Sequence, residues 1–501
     1  MESESKIQNL KSKIPDSWRQ GELLELSIAD LNHNGEGVGR WEGRVVFVPD
    51  TVPGDRVRVR LIRVKPQYAQ GKLHEILEAS PHRIRPRCIV ADKCGGCQWQ
   101  QIDYAYQLEV KRNLVIQDLQ RIGEFEHPPV DRVLGAVSGA DIPTPLPPNE
   151  GKHQEPEPED PTSIQNPKSK IQNHDLGYRN KASYPLVRSA TGQVQAGYYQ
   201  KGSHNLINLN QCPIQDPRLN PLLAEVKRDL QERGWSIYDE EQHRGKLRHL
   251  ALRIGRHTGE MLLTLVSKEG NLGGLEEQAQ DWMQRYPQLV GVCLNLQPDR
   301  NNVIFGDSTQ CITGRDYLNE EFAGLKFQIH PTTFFQVNTE AAEALLSVIE
   351  TELVLQGNEI LVDAYCGIGT LTLPLAKQVK QAIGIEMHAE SIHQAKQNAE
   401  LNTITNTVFQ TGTVEALLPQ LDVQPDIVLL DPPRKGCDRT VIDTLLHMQP
   451  DRIVYVSCNS STLARDLKLL CPTYELTRVQ PADFFPQTAH VEAAAFLVKA
   501  K

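Results

Sequence analysis

Ile360-Leu361-Val362-Asp363-Ala364-Tyr365-Cys366-Gly367-Ile368-Gly369 is an apolar run that enters a glycine turn. A short apolar run bounded by glycine reads as a buried strand. A helix is expected over 371–378. The next strand, 382–385, ends at Glu386, nineteen residues after Gly367. A doubly wound sheet places an acid there, on ribose hydroxyls. From Phe335 onward the pattern keeps alternating, with a helix expected over 338–352 and strands after it. Ile427-Val428-Leu429-Leu430 ends in Asp431-Pro432-Pro433-Arg434, Val454-Tyr455-Val456-Ser457 ends in Cys458-Asn459, and His490-Val491-Glu492 opens a third strand. Such alternation predicts a Rossmann-like, doubly wound α/β domain over 335–501. The three strand ends, placed on one parallel sheet, bring Asp, Cys and Glu together.

The glycine turn lacks the third glycine of a dinucleotide fingerprint, since 371–374 supplies none. With the Asp431-Pro432-Pro433 loop beside it, the better ligand is S-adenosylmethionine. Cys458 is followed by Ser460-Ser461-Thr462, which opens a helix. A helix N-terminus favours thiolate, so a lowered thiol pKa is expected. A thiolate beside a methyl donor suits one difficult reaction. Carbon 5 of uracil is a poor nucleophile until a thiolate adds at carbon 6. After methyl transfer a base must remove the carbon 5 proton, and Glu492 suits that step. The target base must leave its stack to be reached. Cys293, Cys311, Cys366, Cys437 and Cys471 read as inert core thiols.

The rest of the chain frames this domain. Its 501 residues suggest about three domains. No apolar run approaches the ~20 residues that span a bilayer, and the polar start has no signal-peptide core. A cytoplasmic protein, without a membrane partner and monomeric, is expected. Ten cysteines in such a chain argue for metal binding or catalysis over disulfides. Residues 16–79 read as a small β-barrel, with turns at Asn34-Gly35 and Pro53-Gly54-Asp55. Its run 56–64 puts Val57, Val59 and Leu61 on one face and Arg56, Arg58 and Arg60 on the other. Although the net charge is −10, 56–87 carries nine basic residues against Glu75 and Glu78. That excess points to an RNA backbone.

Residues 80–334 form a central domain, of which 176–330 read mainly as strands with one helix near 220–233. Within it, Cys88, Cys94 and Cys97 surround a Gly95-Gly96 turn, and Cys212 is the best fourth ligand. Zinc and an iron–sulfur cluster both take four thiolates. The tail 1–15 and the proline-rich, acidic stretch 138–175 are expected to be disordered. Residues 163–173 echo 5–14 as a low-complexity repeat.

These motifs resemble the RNA uracil-5-methyltransferases, especially the branch acting on 23S ribosomal RNA that carries an iron–sulfur cluster, over nearly the whole chain. Ser457-Cys458-Asn459, Asp431-Pro432-Pro433-Arg434-Lys435-Gly436 and His490-Val491-Glu492 carry the resemblance. The N-terminal module resembles the TRAM domain, an RNA-binding barrel. The resemblance implies Cys458 as nucleophile and Glu492 as base. It implies S-adenosylmethionine contacts from Gln336, Tyr365, Glu386 and Asp431, and a 4Fe-4S cluster on Cys88, Cys94, Cys97 and Cys212. Two departures stand out: Thr370 follows the glycine turn where some relatives carry Asn, and 411–415 lacks one relative's acid, a contact left open with Glu415 as the candidate. The rival readings are a transfer-RNA methyltransferase, an amino-methyltransferase with a similar Pro-Pro loop, and an iron–sulfur RNA-binding module without catalysis. The last two leave the pairing of Cys458 with Glu492 without a role.

Overall fold

The computed structural model describes residues 18–136 and 175–500. The tail 1–15 and nearly all of 138–175, with the repeat at 163–173, lie outside the described residues. The chain divides into two compact units. One comprises the residues up to Asp92 with Cys97–Val110 and Gln487–Ala489; the other comprises Lys93–Gly96, Lys111–Pro486 and the residues from His490 on. No described helix is long and apolar enough to cross a membrane.

The first unit contains a closed barrel of β1 (Leu23–Leu31), β2 (Gly37–Trp41), β3 (Arg44–Val48), β4 (Arg56–Val64) and β5 (Tyr68–Glu78), in the order β1-β2-β3-β5-β4. Alternation builds its core: Leu24, Leu26, Ile28, Val46, Val48, Val57, Val59 and Leu61 all point inward. Gly71 is needed at the closure, because a Cβ there would sit 2.1 Å from Val59 Cγ1. The arginines of β4 do face outward, but the antiparallel register sets Arg58 opposite Glu25 and Glu75, and Arg56 opposite Glu78. Arg58 is 2.7 Å from Glu25 and 2.6 Å from Glu75, and Arg56 is 2.9 Å from Glu78. Neighbouring strands therefore neutralise two of the three arginines of the expected basic face. The exposed basic surface lies further along, where Arg60 pairs across the strands with Lys72 and Arg63 and Lys65 follow.

In the second unit a seven-stranded sheet runs β12-β11-β10-β9-β6-β7-β8. Its strands are β6 (Lys181–Arg188), β7 (Val194–Tyr199), β8 (Leu206–Asn208), β9 (Leu247–Ile254), β10 (Met261–Ser267), β11 (Leu289–Leu296) and β12 (Ser308–Gly314). Besides the expected helix, now α2 (Leu219–Glu232), there are α1 (Tyr104–Arg121), whose residues from Lys111 on belong to this unit, and α3 (Leu275–Arg285), which falls within the stretch read mainly as strands. The second is required by topology: β10 and β11 pair in parallel, and parallel neighbours need a crossover. Its Leu275, Ala279 and Trp282 are buried at helical spacing. A hairpin of β13 (Leu318–Phe322) and β14 (Leu325–Ile329) leads on to α4 (Thr339–Leu353).

The C-terminal sheet has the order β17-β16-β15-β18-β19-β21-β20. Its strands are β15 (Ile360–Ala364), β16 (Gln381–Glu386), β17 (Thr407–Thr411), β18 (Ile427–Leu430), β19 (Arg452–Ser457), β20 (Tyr474–Ala482) and β21 (Glu492–Lys499). The helices α5 (Thr372–Ala376), α6 (Ala389–Leu401), α7 (Val414–Leu417), α8 (Arg439–Met448) and α9 (Ser460–Leu470) connect them. The first five strands in that order are parallel, but β21 runs antiparallel to β19 and β20. The three motif strands are thus not all parallel. Strand order reverses between β15 and β18, the switch point where such sheets bind ligands. Apolar layers cover both faces, and Val115 and Leu119 of α1 complete one of them.

Candidate active site

The reversal of β21 explains why two distant residues meet. Ser457, the last residue of β19, pairs with Ala493 of β21. One step further along this antiparallel register lie Cys458 and Glu492. Glu492 reaches the switch-point edge because its strand begins there. Asn459 then caps α9: its side chain accepts from Ser461 N at 3.1 Å and donates to Arg434 O at 3.2 Å. The cap therefore ties the Cys458 turn to the loop after Asp431.

The electrostatics contradict the expected acidic thiol. Burial pushes Cys458 up to about 11, and the carboxylates of Glu492 and Asp431 add to the rise. Arg434 opposes it, but α9 does not bring the thiol below its ordinary value. Glu492 is buried and rises to about 8, through burial first and Asp431 second, with Arg434 opposing. Burial alone lifts the half-buried Asp431 to about 7. Arg434, quoted in the sequence only as part of a loop, is thus the cation shared by thiol and base.

At the glycine turn, Tyr365 adopts a left-handed φ of 75°, followed by Gly367 at 55° and Gly369 at 85°. Tyr365 N and Cys366 N both donate to Ile385 O, at 2.9 and 3.0 Å. A Cβ on Gly367 would meet nothing within 4 Å, so this backbone is open to a ligand. Glu386 accepts from Gly367 N at 3.3 Å and from His388 N at 2.9 Å. Asp363, inside the apolar strand β15, accepts from Thr372 Oγ1 and is pushed up to about 8 by burial, with Asp431 and Glu386 adding to the rise. Glu386 and Asp431 supply acids at this end of the sheet, which suits a cationic sulfonium, while the buried Asp363 stays protonated below about pH 8. Asp363 was missed, although an acid inside an apolar strand is a visible signal. The carboxylate of Glu415 helps raise the Tyr365 phenol, which places it on that side of the turn.

Gln336 lies just before α4. Its carbonyl accepts from Asn180 Nδ2 at 2.9 Å, and Asn338 caps the helix by accepting from Ala341 N at 3.2 Å. The backbone of Gln336 is fixed, and its half-buried side chain is not linked to the residues above. Beneath the Pro-Pro loop, Asp466 accepts from Tyr455 Oη at 2.7 Å and from Cys437 N at 2.9 Å, locking the loop from below. Cys293, Cys366 and Cys437 are buried and Cys311 and Cys471 half-buried, and burial raises all five thiols.

The resemblance implies a ligand set of Cys88, Cys94, Cys97 and Cys212. Among the described residues no group of three or more Cys, His, Asp or Glu side chains is placed to hold a metal ion. Within the second unit two of the four do converge. Gly95 N donates to Tyr199 O at 3.0 Å, which holds the Cys94 turn against β7. The thiols of Cys94 and Cys212 both help raise the phenol of Tyr198. Cys88 and Cys97 belong to the first unit, where Gln100 Nε2 donates to Cys97 Sγ at 3.7 Å.

Residues 163–500 match the model of the tRNA (uracil-5-)-methyltransferase family, and residues 17–74 match the TRAM domain. An uncharacterized RNA methyltransferase from Nostoc sp. is 64% identical over 96% of this chain and 97% of its own. Another, from Synechocystis sp., is 55% identical over 96% of both chains. The crystal structure of Pyrococcus abyssi tRNA (uracil-54, C5)-methyltransferase in complex with S-adenosyl-L-homocysteine is 25% identical, with a TM-score of 0.71, over 95% of this chain and all of that one. The chain belongs to the tRNA (uracil-5-)-methyltransferase family and is an RNA methyltransferase with a TRAM barrel at its N-terminal end.

Proposed function

We propose that this protein transfers the methyl group of S-adenosylmethionine to carbon 5 of a uridine in RNA, with Cys458 as nucleophile and Glu492 as base. The observation that supports the reading is the β19–β21 register, in which Ser457 pairs with Ala493 and the thiol and the buried carboxyl follow one step on. In the first step the Cys458 thiolate adds to carbon 6, and the ring electrons move to carbon 5 and the carbonyl oxygen. Carbon 5 then takes the methyl from the sulfonium, leaving S-adenosylhomocysteine. Glu492 removes the carbon 5 proton, the double bond reforms, and the thiolate departs. A carboxyl raised to about 8 is well matched to that proton transfer. Before the first step the positive sulfonium, held near Asp431, counteracts the carboxylates that keep the thiol protonated. The neighbour bound to S-adenosylhomocysteine supports the cofactor. Gln336, Tyr365, Glu386 and Asp431 are the proposed contacts, and the open backbone at Gly367 supports that placement.

Cys458→Ala should bind RNA and cofactor and transfer no methyl group. Wild type should be trapped covalently by RNA carrying 5-fluorouridine, and Glu492→Gln should accumulate a methylated covalent adduct. Normal turnover by Cys458→Ala ends this mechanism.

The target we propose is 23S ribosomal RNA, on the family resemblance. A second reading, transfer RNA, is favoured by the Pyrococcus neighbour, a tRNA (uracil-54, C5)-methyltransferase. That likeness leaves too little of this chain uncovered to omit the barrel, so the barrel does not separate the two. Mapping 5-methyluridine in both RNAs from a deletion strain does. We further propose a 4Fe-4S cluster on Cys88, Cys94, Cys97 and Cys212. It rests on the resemblance and on the convergence of Cys94 and Cys212 at Tyr198.

A further inference from the structure

Lys181 of β6 stands directly opposite Arg253 of β9 in the antiparallel register. Like charges in that position repel at close range. Arg179 precedes Lys181 by two residues, and its Nε donates to Lys181 O at 3.1 Å. Arg253 is 4% exposed, yet only its Nη2 has an acceptor, Thr333 O at 2.8 Å. Its Nε and Nη1 are buried without a hydrogen-bond partner. Among the described residues none of the three cations forms an ion pair. The Lys181 ammonium is pushed down to about 6 by burial first, then by Arg253 and Arg179, and no carboxylate offsets the fall. A buried guanidinium with two idle donors is unfavourable unless an anion completes the site, and an anion there would also restore the proton of Lys181.

We propose that Arg179, Lys181 and Arg253 form a pocket for a phosphodiester of the substrate RNA. The inference rests on the RNA methyltransferase reading and adds a place where the strand is held. Three placements favour RNA phosphate over the carboxylate of the cofactor. Three cations exceed what one carboxylate needs. The pocket belongs to the β6–β9 sheet, whereas the acidic cofactor end belongs to the C-terminal sheet. Arg179 also acts electrostatically on His490, two residues before the proposed base Glu492. Aromatic rings stand nearby: Lys181 Nζ lies 5.0 Å over Phe305, and Phe334, next to the Thr333 that Arg253 holds, is 68% exposed. Cations beside exposed rings are the combination that holds single-stranded nucleic acid.

The test compares wild type, Lys181→Gln and Arg253→Lys as full-length protein. A single-stranded, uridine-containing RNA and S-adenosylhomocysteine serve as separate probes. Lys181→Gln should bind the RNA more weakly, with a log–log salt slope flatter by up to about 0.7, the contribution of one phosphate. Its affinity for S-adenosylhomocysteine should be unchanged. Without ligand its melting temperature should hold, since a lysine pushed down to about 6 is largely uncharged near neutral pH. Inorganic phosphate should raise the melting temperature of wild type more than that of Lys181→Gln. Arg253→Lys, which keeps the charge and loses the fork, guards against misfolding and should weaken RNA binding to an intermediate degree. Unchanged RNA affinity and salt slope in Lys181→Gln overturn the pocket. Loss of S-adenosylhomocysteine binding alone reassigns the anion to the cofactor, which also overturns it. Because binding is read without turnover, these outcomes are independent of whether the Cys458 mechanism holds.

Discussion

Neutralising Glu492 should make the Cys458 thiol more acidic, and the effect should appear only at alkaline pH. The thiol rises from an ordinary 9.0 to about 11 in the folded protein. Two units correspond to about 2.7 kcal/mol against the thiolate. At pH 8 the reactive fraction falls from roughly one in ten to roughly one in a thousand. Burial is the largest cause, Glu492 the next and Asp431 the third, and Arg434 opposes all of them. Glu492→Gln removes the second cause and leaves the first. Glu492 itself is raised from 4.5 to about 8, so it is protonated below that pH and carries its charge above it. Repulsion of the thiolate is therefore absent at pH 6.5 and present at pH 9.5. The variant and wild type should be alkylated by iodoacetamide at equal rates at pH 6.5. At pH 9.5 the variant should react on the order of tenfold faster, about one unit of thiol acidity. The assay follows the Cys458 peptide by mass spectrometry in cofactor-free protein, with the Cys471 peptide as internal reference. Equal rates at both pH values would show that burial alone holds the thiol up. A variant already faster at pH 6.5 would show that Glu492 is charged there and its carboxyl is not raised.

Three further outcomes follow from other parts of the molecule. Reversing Arg60 and Lys72 should weaken RNA binding more than reversing Arg56 and Arg58, whose charges are already met by Glu25, Glu75 and Glu78; filter binding across a salt series would show equal effects if the ion pairs are immaterial. Cys212→Ser should lower the iron content of anaerobically purified protein, and a colourless wild type carrying zinc or no metal removes the cluster. Lys111 and Asp483 form an ion pair at 2.5 Å with both side chains fully buried, so Lys111→Met should destabilise by about 3–5 kcal/mol in denaturant titration. A loss below 1 kcal/mol would mean that Asp483 is accommodated without its cation.

Much of the site was legible because its signals are local. A short apolar run ending in a polar residue marks a strand end, so Cys458, Asp431 and Glu386 could each be placed at the edge of a sheet from neighbouring residues alone. The glycines at 367 and 369 mark a turn whose positive φ the structure bears out. The barrel was equally legible, since alternation along β1 and β4 is a period-two pattern. Helix α3 was missed although its apolar spacing was present, because only the parallel pairing of β10 and β11 makes a crossover necessary there.

By itself the sequence determined which residues sit at strand ends, which faces are apolar, and which family the motifs resemble. Only the tertiary structure decided what those residues meet. It turned β21 antiparallel, so that Glu492 stands next to Cys458 by register. It set Glu25, Glu75 and Glu78 against the arginines of β4, which no count along one strand reveals. It raised the Cys458 thiol where a helix N-terminus alone predicts a fall. The physical reason is common to all three. Strand character depends on side chains a few residues apart, whereas pKa values and charge balance depend on burial and on groups brought within several ångströms from anywhere in the chain.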